Sequence, residues 1–433
     1  MKFKTTVTLS LAALMLTQVC QPVCRAQQMT DEQIFAAIRE DPYRAAAGAY
    51  PYHFASTEYT RAPKGYKPFY ISHIGRHGSR YQLDRDAKYV SSCHLLDSLH
   101  EAGALTAVGD SLCHEMRAIY DAHLNMEGML TFKGTEEHKG IARRMAARSP
   151  QVFCQKDRNI VNCVSTTVHR TIQSMGGFAI GLASSFPDLD IRINCTFPHI
   201  GHDNLKPGEE QVDIAGAKKA ALDAVSEVEQ AMTPTAEELS GLRERLFAGY
   251  DASVETMYRL FYAASTSSCL DIDVDPLRFF TTEELFAFYR RCDVRFCGLY
   301  GTLATAGGKM AECMIPTLRH MVEDADAAIR GNGRCADFRF CHDTNVGPIM
   351  ALLGIGGFAV TARPDAPYRY WQSFKQICMA SNLQLEFYRN RKGDILVKAL
   401  YNEQEAAFPG LEAVNGIYYR WRDVRKYMMD KCE

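Results

Sequence analysis

Three times in 433 residues a short apolar run passes, without a linker, into a dense cluster of polar and charged side chains. Phe69-Tyr-Ile-Ser-His-Ile74 leads into Gly75-Arg-His-Gly-Ser-Arg80. Asn159-Ile-Val-Asn-Cys-Val-Ser165 leads into Thr166-Thr-Val-His-Arg170, and Asp337-Phe-Arg-Phe-Cys341 into His342-Asp-Thr-Asn345. Aromatic and β-branched runs of this length read as strands, and the second and third clusters open helical patterns. Strands alternating with helices imply a parallel sheet, whose ligands collect beyond the carboxyl ends of its strands. The three clusters are therefore expected to converge, although they lie far apart in the chain.

Around them the chain has a split plan. A helix opens at the capping box Thr30-x-x-Gln33, one long helical tract is predicted through Leu95 to Ala122, and Leu130-Thr-Phe-Lys-Gly134 leads into a helix with Ile141 and Met145 on its apolar side. The stretch 206–310 changes character: it is rich in Ala, Glu and Leu and carries capping boxes at Thr235-x-x-Glu238 and Thr281-x-x-Glu284. It reads as an all-α insertion. Strands return after Ala336, and Leu383–Tyr388 with Asp394–Lys398 form a late hairpin. The predicted fold is α/β, a sheet flanked by helices over 27–205 and 311–433, interrupted by the helical insert. No internal repeat is present.

Residues 1–26 read as a cleaved signal peptide, with Lys2 and Lys4 before an apolar stretch, Thr5 to Val19, and small residues at Cys24 and Ala26. Acylation at Cys20 or Cys24 is disfavoured because Thr17-Gln-Val19 and Gln21-Pro-Val23 are poor lead-ins to a lipidation site. No later run reaches the roughly 18 apolar residues that a membrane span needs. The expectation is an exported protein, periplasmic or extracellular. With 49 basic residues against 51 acidic ones, no general cationic field invites nucleic acid, so any cationic site is local.

The fifteen cysteines fall to thirteen without the leader, an odd number, so at least one thiol stays unpaired within the monomer. Cys292 and Cys297 sit in a helical stretch, where five residues rise about 7.5 Å, beyond the reach of a disulfide. Mostly buried thiols with a few bridges are expected. No Cys-x-x-Cys pair or His-Glu-x-x-His helix occurs among them or the 13 histidines, so no metal and no cofactor is predicted. Gly307-Gly308-Lys309 fails as a phosphate loop, because Leu303 and Met310 stand where it needs Gly and Ser or Thr. His94, His114, His123 and His320 fall on predicted helices and are read as structural.

The chemistry lies in the clusters. His77 stands between Arg76 and Arg80, whose charges disfavour its protonation and keep the imidazole nucleophilic, while Gly75 and Gly78 are expected to allow sharp turns near a ligand. Arg170 adds a third guanidinium at a helix start, and His342 brings a second imidazole beside the Asp343 carboxyl group. Such a set would clamp a dianionic phosphate. Taken singly, each cluster has a plainer reading, a solvated basic turn or a helix cap made by Asp343. Three such clusters at three strand ends favour a common site.

Ile71-Ser-His-Ile-Gly-Arg-His-Gly-Ser-Arg80 together with Phe340-Cys-His-Asp-Thr-Asn345 resembles the histidine phosphatase superfamily, in its branch of histidine acid phosphatases, phytases and multiple inositol polyphosphate phosphatases. The likeness extends through Leu130-Thr-x-x-Gly134, the Arg170 segment and Ser381-Asn-Leu-Gln-Leu-Glu386, covering roughly residues 65–400. It implies a phosphoglycerate-mutase-like sheet with a helical insert and a metal-independent phosphatase. His77 would become the phosphohistidine, Arg76, Arg80, Arg170 and His342 would hold the phosphoryl oxygens, and Asp343 would protonate the leaving group. One departure is clear: multiple inositol polyphosphate phosphatases usually carry His-Ala-Glu where this chain has His342-Asp343-Thr344. The layout through Tyr81 nevertheless points to a small, multiply phosphorylated substrate. Lys133, Lys206, Thr344 and Asn345 are candidates for its pocket. The alternatives are a broad acid phosphatase, a non-catalytic phosphate-binding relative, or a mutase, which the signal segment and the His342-Asp343 pair argue against.

Overall fold

The computed structural model describes residues 28–83, 88–195, 214–306, 308–358 and 360–433. The predicted leader and Lys206 lie outside them. The predicted strands form one mixed sheet: β1 (Lys67–Arg76), β2 (Ile160–Ser165), β4 (Arg334–Cys341), β5 (Asn382–Arg389) and β6 (Ile395–Tyr401). β3 (Asp190–Asn194), β7 (Gln404–Ala406) and β8 (Tyr419–Arg420) complete it. The order is β3-β2-β4-β1-β5-β6-β7, with β8 on β6. β1, β2, β3 and β4 run parallel, and β5 and β6 are the antiparallel hairpin. β1 is buried from Phe69 to Arg76, as befits a central strand covered on both faces. β3 escaped sequence reading because it is an exposed edge with little apolar signal.

In chain order the principal helices are α1 (Asp31–Glu40), α2 (Lys88–Glu101), α3 (Ala107–His123), α4 (Phe132–Arg148) and α5 (His169–Ala183). They continue as α6 (Ile214–Ala231), α7 (Ser240–Leu246), α8 (Val254–Ser265), α9 (Thr282–Tyr300), α10 (Ile315–Arg330), α11 (Asp343–Leu353) and α12 (Trp421–Asp430). One sheet face packs Ile71, Val161 and Phe338 against Ile141 and Met145 of α4 and Phe178 of α5. The opposite face packs Tyr70, Ile74 and Val164 against Leu318 of α10, Met350 of α11 and Met428 of α12.

The single tract predicted over Leu95–Ala122 is two helices. Gly103 takes the left-handed conformation, φ +65°, behind α2, and Thr106 caps α3 by accepting from the Gly109 amide. A separate helical core joins Leu242, Phe261 and Phe288 to Ile34, Leu96 and Met116 and to Tyr368. The apolar contacts of the predicted insert 206–310 thus reach well outside its boundaries, while α6 turns Val225 and Val228 toward the sheet-side core. Both patterns are amphipathic, and periodicity alone does not say which partner a helix meets. The expected few disulfides are absent: all thirteen described cysteines are free, and all but Cys154 and Cys195 are buried. Burial pushes thiols such as Cys93 and Cys335 up to about 12, which keeps them protonated and inert.

Two imidazoles are buried under the sheet end. His73 has no hydrogen-bond partner at either ring nitrogen and packs on Phe178, Phe338 and Phe340, and His138 packs beside it on Phe340. Burial pushes His138 down to about 3; burial, His138 and Arg339 together hold His73 well below 6.5. Unfolding restores ordinary imidazoles, so below about pH 6.5 the unfolded chain binds more protons than the folded one. Stability is therefore complete above that value and falls as pH drops, by up to about 1.4 kcal/mol per pH unit for each ring. Urea unfolding at pH 7.5 and 5 is expected to show this loss, with a shallower slope in His138→Phe. Equal stability at the two pH values would contradict it.

Candidate active site

The clusters meet because β2, β4 and β1 are neighbours in the sheet, with Ser165 beside Phe340 and Cys341 beside Arg76 at the same ends. The amide of Arg76 donates to Ser381 O and that of His77 to Cys341 O, both strand-like continuations that hold the loop rigid. Gly78 is needed for room rather than for a turn. Neither Gly75 nor Gly78 has positive φ, but a Cβ on Gly78 would lie 2.5 Å from Gly134 O, and one on Gly134 would lie 2.2 Å from Ser79 O. This backbone contact seats the loop on the first turn of α4, where Thr131 donates through its amide and hydroxyl to Ser79 O.

His77 is 2% exposed, and its Nδ1 lies 2.9 Å from Gly78 O. A carbonyl only accepts, so Nδ1 carries the proton and Nε2 keeps its lone pair. Burial, and after it Arg170, Arg76, His342 and Arg80, holds its basicity well below the usual imidazole value. Burial is the larger cause and the neighbouring arginines, named from the sequence, the lesser one, and both favour the neutral imidazole.

Arg76 is 1% exposed and fixed from behind by the carbonyls of Gly48 and Ile377, while its Nη2 pairs with Asp343 Oδ2 at 2.9 Å. Burial alone would raise Asp343. Arg76, followed by His342, Arg80 and the Thr344 amide, outweighs it and holds the carboxyl below its ordinary value. Arg80 donates to Tyr81 O. The Nε atoms of Arg76 and Arg80 are buried and bonded to nothing. Arg170 Nη2 stands 3.4 Å from His342 Nδ1, and the His77 and His342 rings lie 5.6 Å apart. Five of the predicted residues, Arg76, His77, Arg170, His342 and Asp343, are thus joined by direct contacts, and Arg80 leaves the same loop beside them.

The pocket candidates fare differently. Lys133 lies on the first turn of α4, its Nζ bound to Ser268 O and its amide to Asp271, so a loop of the helical region ties it down beside the Arg76–Arg80 turn. Thr344 is half-buried, its amide held by Asp343 Oδ1 at 2.9 Å. Asn345 does not face a ligand: it is 1% exposed, accepts from the His342 amide through Oδ1 and points its amide at Met314 Sδ, which makes it a cap of α11. Sequence reasoning missed Glu137, whose half-buried carboxylate accepts from the Ser79 amide and hydroxyl, each at 2.7 Å, and from the Tyr52 amide at 3.0 Å. It also gave no role to Thr166, 3.1 Å from His342 Nε2. Neither position carries a motif; only the folded register reveals them. Among the described residues no three His, Cys, Asp or Glu side chains gather as a metal set, and no helix is long and apolar enough to cross a membrane.

A family model described as histidine phosphatase superfamily (branch 2) matches residues 71–402. No curated protein matches the chain. Among solved structures, the Bifidobacterium longum multiple inositol polyphosphate phosphatase in complex with inositol hexasulfate superposes with TM-score 0.75 at 19% identity, covering 88% of this chain and 97% of that one. The phytase from D. castellii gives TM-score 0.72 at 16% identity, covering 90% and 85%. Klebsiella sp. ASR1 phytase gives 0.53 at 12% identity, covering 85% and 96%. At such identities the likeness is one of fold.

Proposed function

The chain belongs to branch 2 of the histidine phosphatase superfamily, and from that premise we propose that it hydrolyses phosphomonoesters through a phosphohistidine at His77, with inositol polyphosphates as its substrates. The observation that carries the reading is the pair of buried, unbonded Nε–H groups of Arg76 and Arg80 beside a neutral imidazole. Buried donors without acceptors are costly, and a phosphoryl group supplies acceptors where its charge is greatest.

In this reading Nε2 of His77 attacks phosphorus, the P–N bond forms as the ester P–O bond breaks, and the Asp343 carboxyl gives its proton to the departing alkoxide. Arg76, Arg80, Arg170 and His342 hold the equatorial oxygens, supplying the charge stabilisation that dominates phosphoryl transfer. Water then attacks phosphorus, passes a proton to Asp343 and releases His77. Because His77 and Asp343 are both present and in contact with the arginines, catalysis is favoured over passive phosphate binding. The predicted leader places the enzyme in the periplasm or outside the cell.

The inositol polyphosphate assignment rests on the likeness of fold to an enzyme solved with inositol hexasulfate, and on Lys133 held beside the catalytic turn, where a further phosphate of the ring would meet it. With a chelator present and at low ionic strength, kcat/KM for inositol hexakisphosphate is expected to exceed that for glycerol phosphate at least about tenfold, a margin that salt should erode by screening. Equal constants would leave a broad acid phosphatase.

A further inference from the structure

Behind Arg76 the chain is held in a conformation that alanine avoids. Ala47, at the kink of the short helical segment Pro42–Ala49, has φ +50° and ψ −120° and is fully buried. These are the angles of the first corner of a II′ turn, which glycine adopts freely and a residue with a Cβ adopts only under strain. The next residue, Gly48, turns its carbonyl to Arg76 Nη1. Gly48 has no positive φ of its own and is needed for room: a Cβ on it would lie 2.3 Å from Cε1 of Phe296, and the three atoms nearest that position all belong to the Phe296 ring. Phe296 is a half-buried residue of α9, so a helix outside the sheet presses its ring edge on the bare Cα that follows the strained residue. Just beyond, Cys269 Sγ donates to Ala49 O at 3.1 Å and the Met379 amide to Tyr50 O at 2.9 Å, which ties down the chain leaving the turn. Strain of this kind persists only where its surroundings impose it.

The turn matters for what it leaves free on Arg76. A guanidinium carries five N–H groups. Both on Nη1 are taken by carbonyls, Gly48 O and Ile377 O, and one on Nη2 by Asp343. The Nε–H, buried and unbonded, and the second Nη2–H remain as donors for a phosphoryl group. We propose that Phe296 is a positioning residue for Arg76: it holds the strained Ala47–Gly48 turn, whose carbonyl fixes the guanidinium so that its free N–H groups face the phosphoryl oxygens. The proposal rests on the phosphate site assigned above. Without the ring, Ala47 relaxes toward negative φ and the Gly48 carbonyl swings away. Nη1 is then held by Ile377 O alone, and the guanidinium loses its aim.

The test uses inorganic phosphate as the probe, its affinity measured by titration calorimetry, with urea unfolding of each variant alongside. Phe296→Ala is expected to bind phosphate about ten- to a hundredfold more weakly, the loss of a well-aimed hydrogen bond to a charged group, while Phe296→Tyr, which keeps the ring edge, should stay within about threefold of wild type. Adding Ala47→Gly to Phe296→Ala should restore affinity to within about threefold, because glycine holds the same angles without strain and the turn no longer needs the ring. Ala47→Gly alone should keep the wild-type affinity and unfold at higher urea. In an Arg76→Lys background, Phe296→Ala should cost less than about twofold more, since the ring acts through that guanidinium. Wild-type affinity in Phe296→Ala overturns the proposal, as does failure of Ala47→Gly to rescue it or an undiminished loss in the Arg76→Lys background. Should Phe296→Ala not fold, Ala47→Gly still decides: an unfolding midpoint below that of wild type overturns the strained turn, and one above it supports the turn. Failure of the wild-type chain itself to bind phosphate overturns the phosphatase reading, whereas variants that match a phosphate-binding wild type overturn the role of Phe296 alone.

Discussion

Replacing His77 by alanine is expected to lower kcat by at least about ten-thousandfold, because in the proposed mechanism its Nε2 forms the bond to phosphorus rather than merely aiding binding. The protein should remain folded: the ring's hydrogen bond runs only to the adjacent Gly78 carbonyl, and the loop keeps its anchors at Cys341 O, Ser381 O and Glu137. Removing a buried imidazole that is held neutral even relieves part of the acid sensitivity described for His73 and His138. Rapid quenching of the wild-type enzyme during turnover should trap phosphate in an acid-labile, alkali-stable linkage, and His77→Ala should trap none. Label recovered on a serine or an aspartate would sink the mechanism. Circular dichroism of the variant separates lost chemistry from lost structure.

What the sequence revealed and what it hid follow from the range of each interaction. Arg76, His77, Arg170 and Asp343 were legible because each ends or closely follows an apolar strand, and the carboxyl ends of strands in a parallel sheet are where ligands gather. Arg76 illustrates the limit: that it contributes charge is evident from its neighbours, but its rigidity comes from the carbonyls of Gly48 and Ile377, backbone groups with no signature in their own segments. Glu137 is similar, since one of the two glutamates on α4 becomes the brace of the Arg76–Arg80 loop only through the approach of Gly78 to Gly134. Asn345 was misplaced for the converse reason: its position beside the His342-Asp343 pair suggested the pocket, yet residue N3 of a helix is well placed to satisfy the cap amide, and it does so.

Asp343 gives the second large effect, and its size depends on the leaving group. In the free enzyme the carboxyl is held ionised by Arg76 at 2.9 Å, despite the burial that would raise it. A phosphate dianion competes for the same guanidinium, and once Arg76 turns its charge to phosphate the carboxyl loses its main stabiliser and takes up the proton it must donate. An alkoxide cannot leave without that proton, whereas a nitrophenolate can. Asp343→Asn is therefore expected to cut kcat/KM for an alkyl phosphate by about 10²- to 10⁴-fold and for a nitrophenyl phosphate by less than about tenfold. Wild-type alkyl turnover is expected to decline from acid toward neutral pH as Asp343 loses its proton, and this decline should flatten in the variant, because an amide has no proton to lose. The specificity constant reports only formation of the phosphohistidine, so the comparison stays valid even if the variant also hydrolyses the intermediate slowly and shows a burst. Equal losses for both esters would remove Asp343 from the donor role and leave its pairing with Arg76 as a purely structural contact.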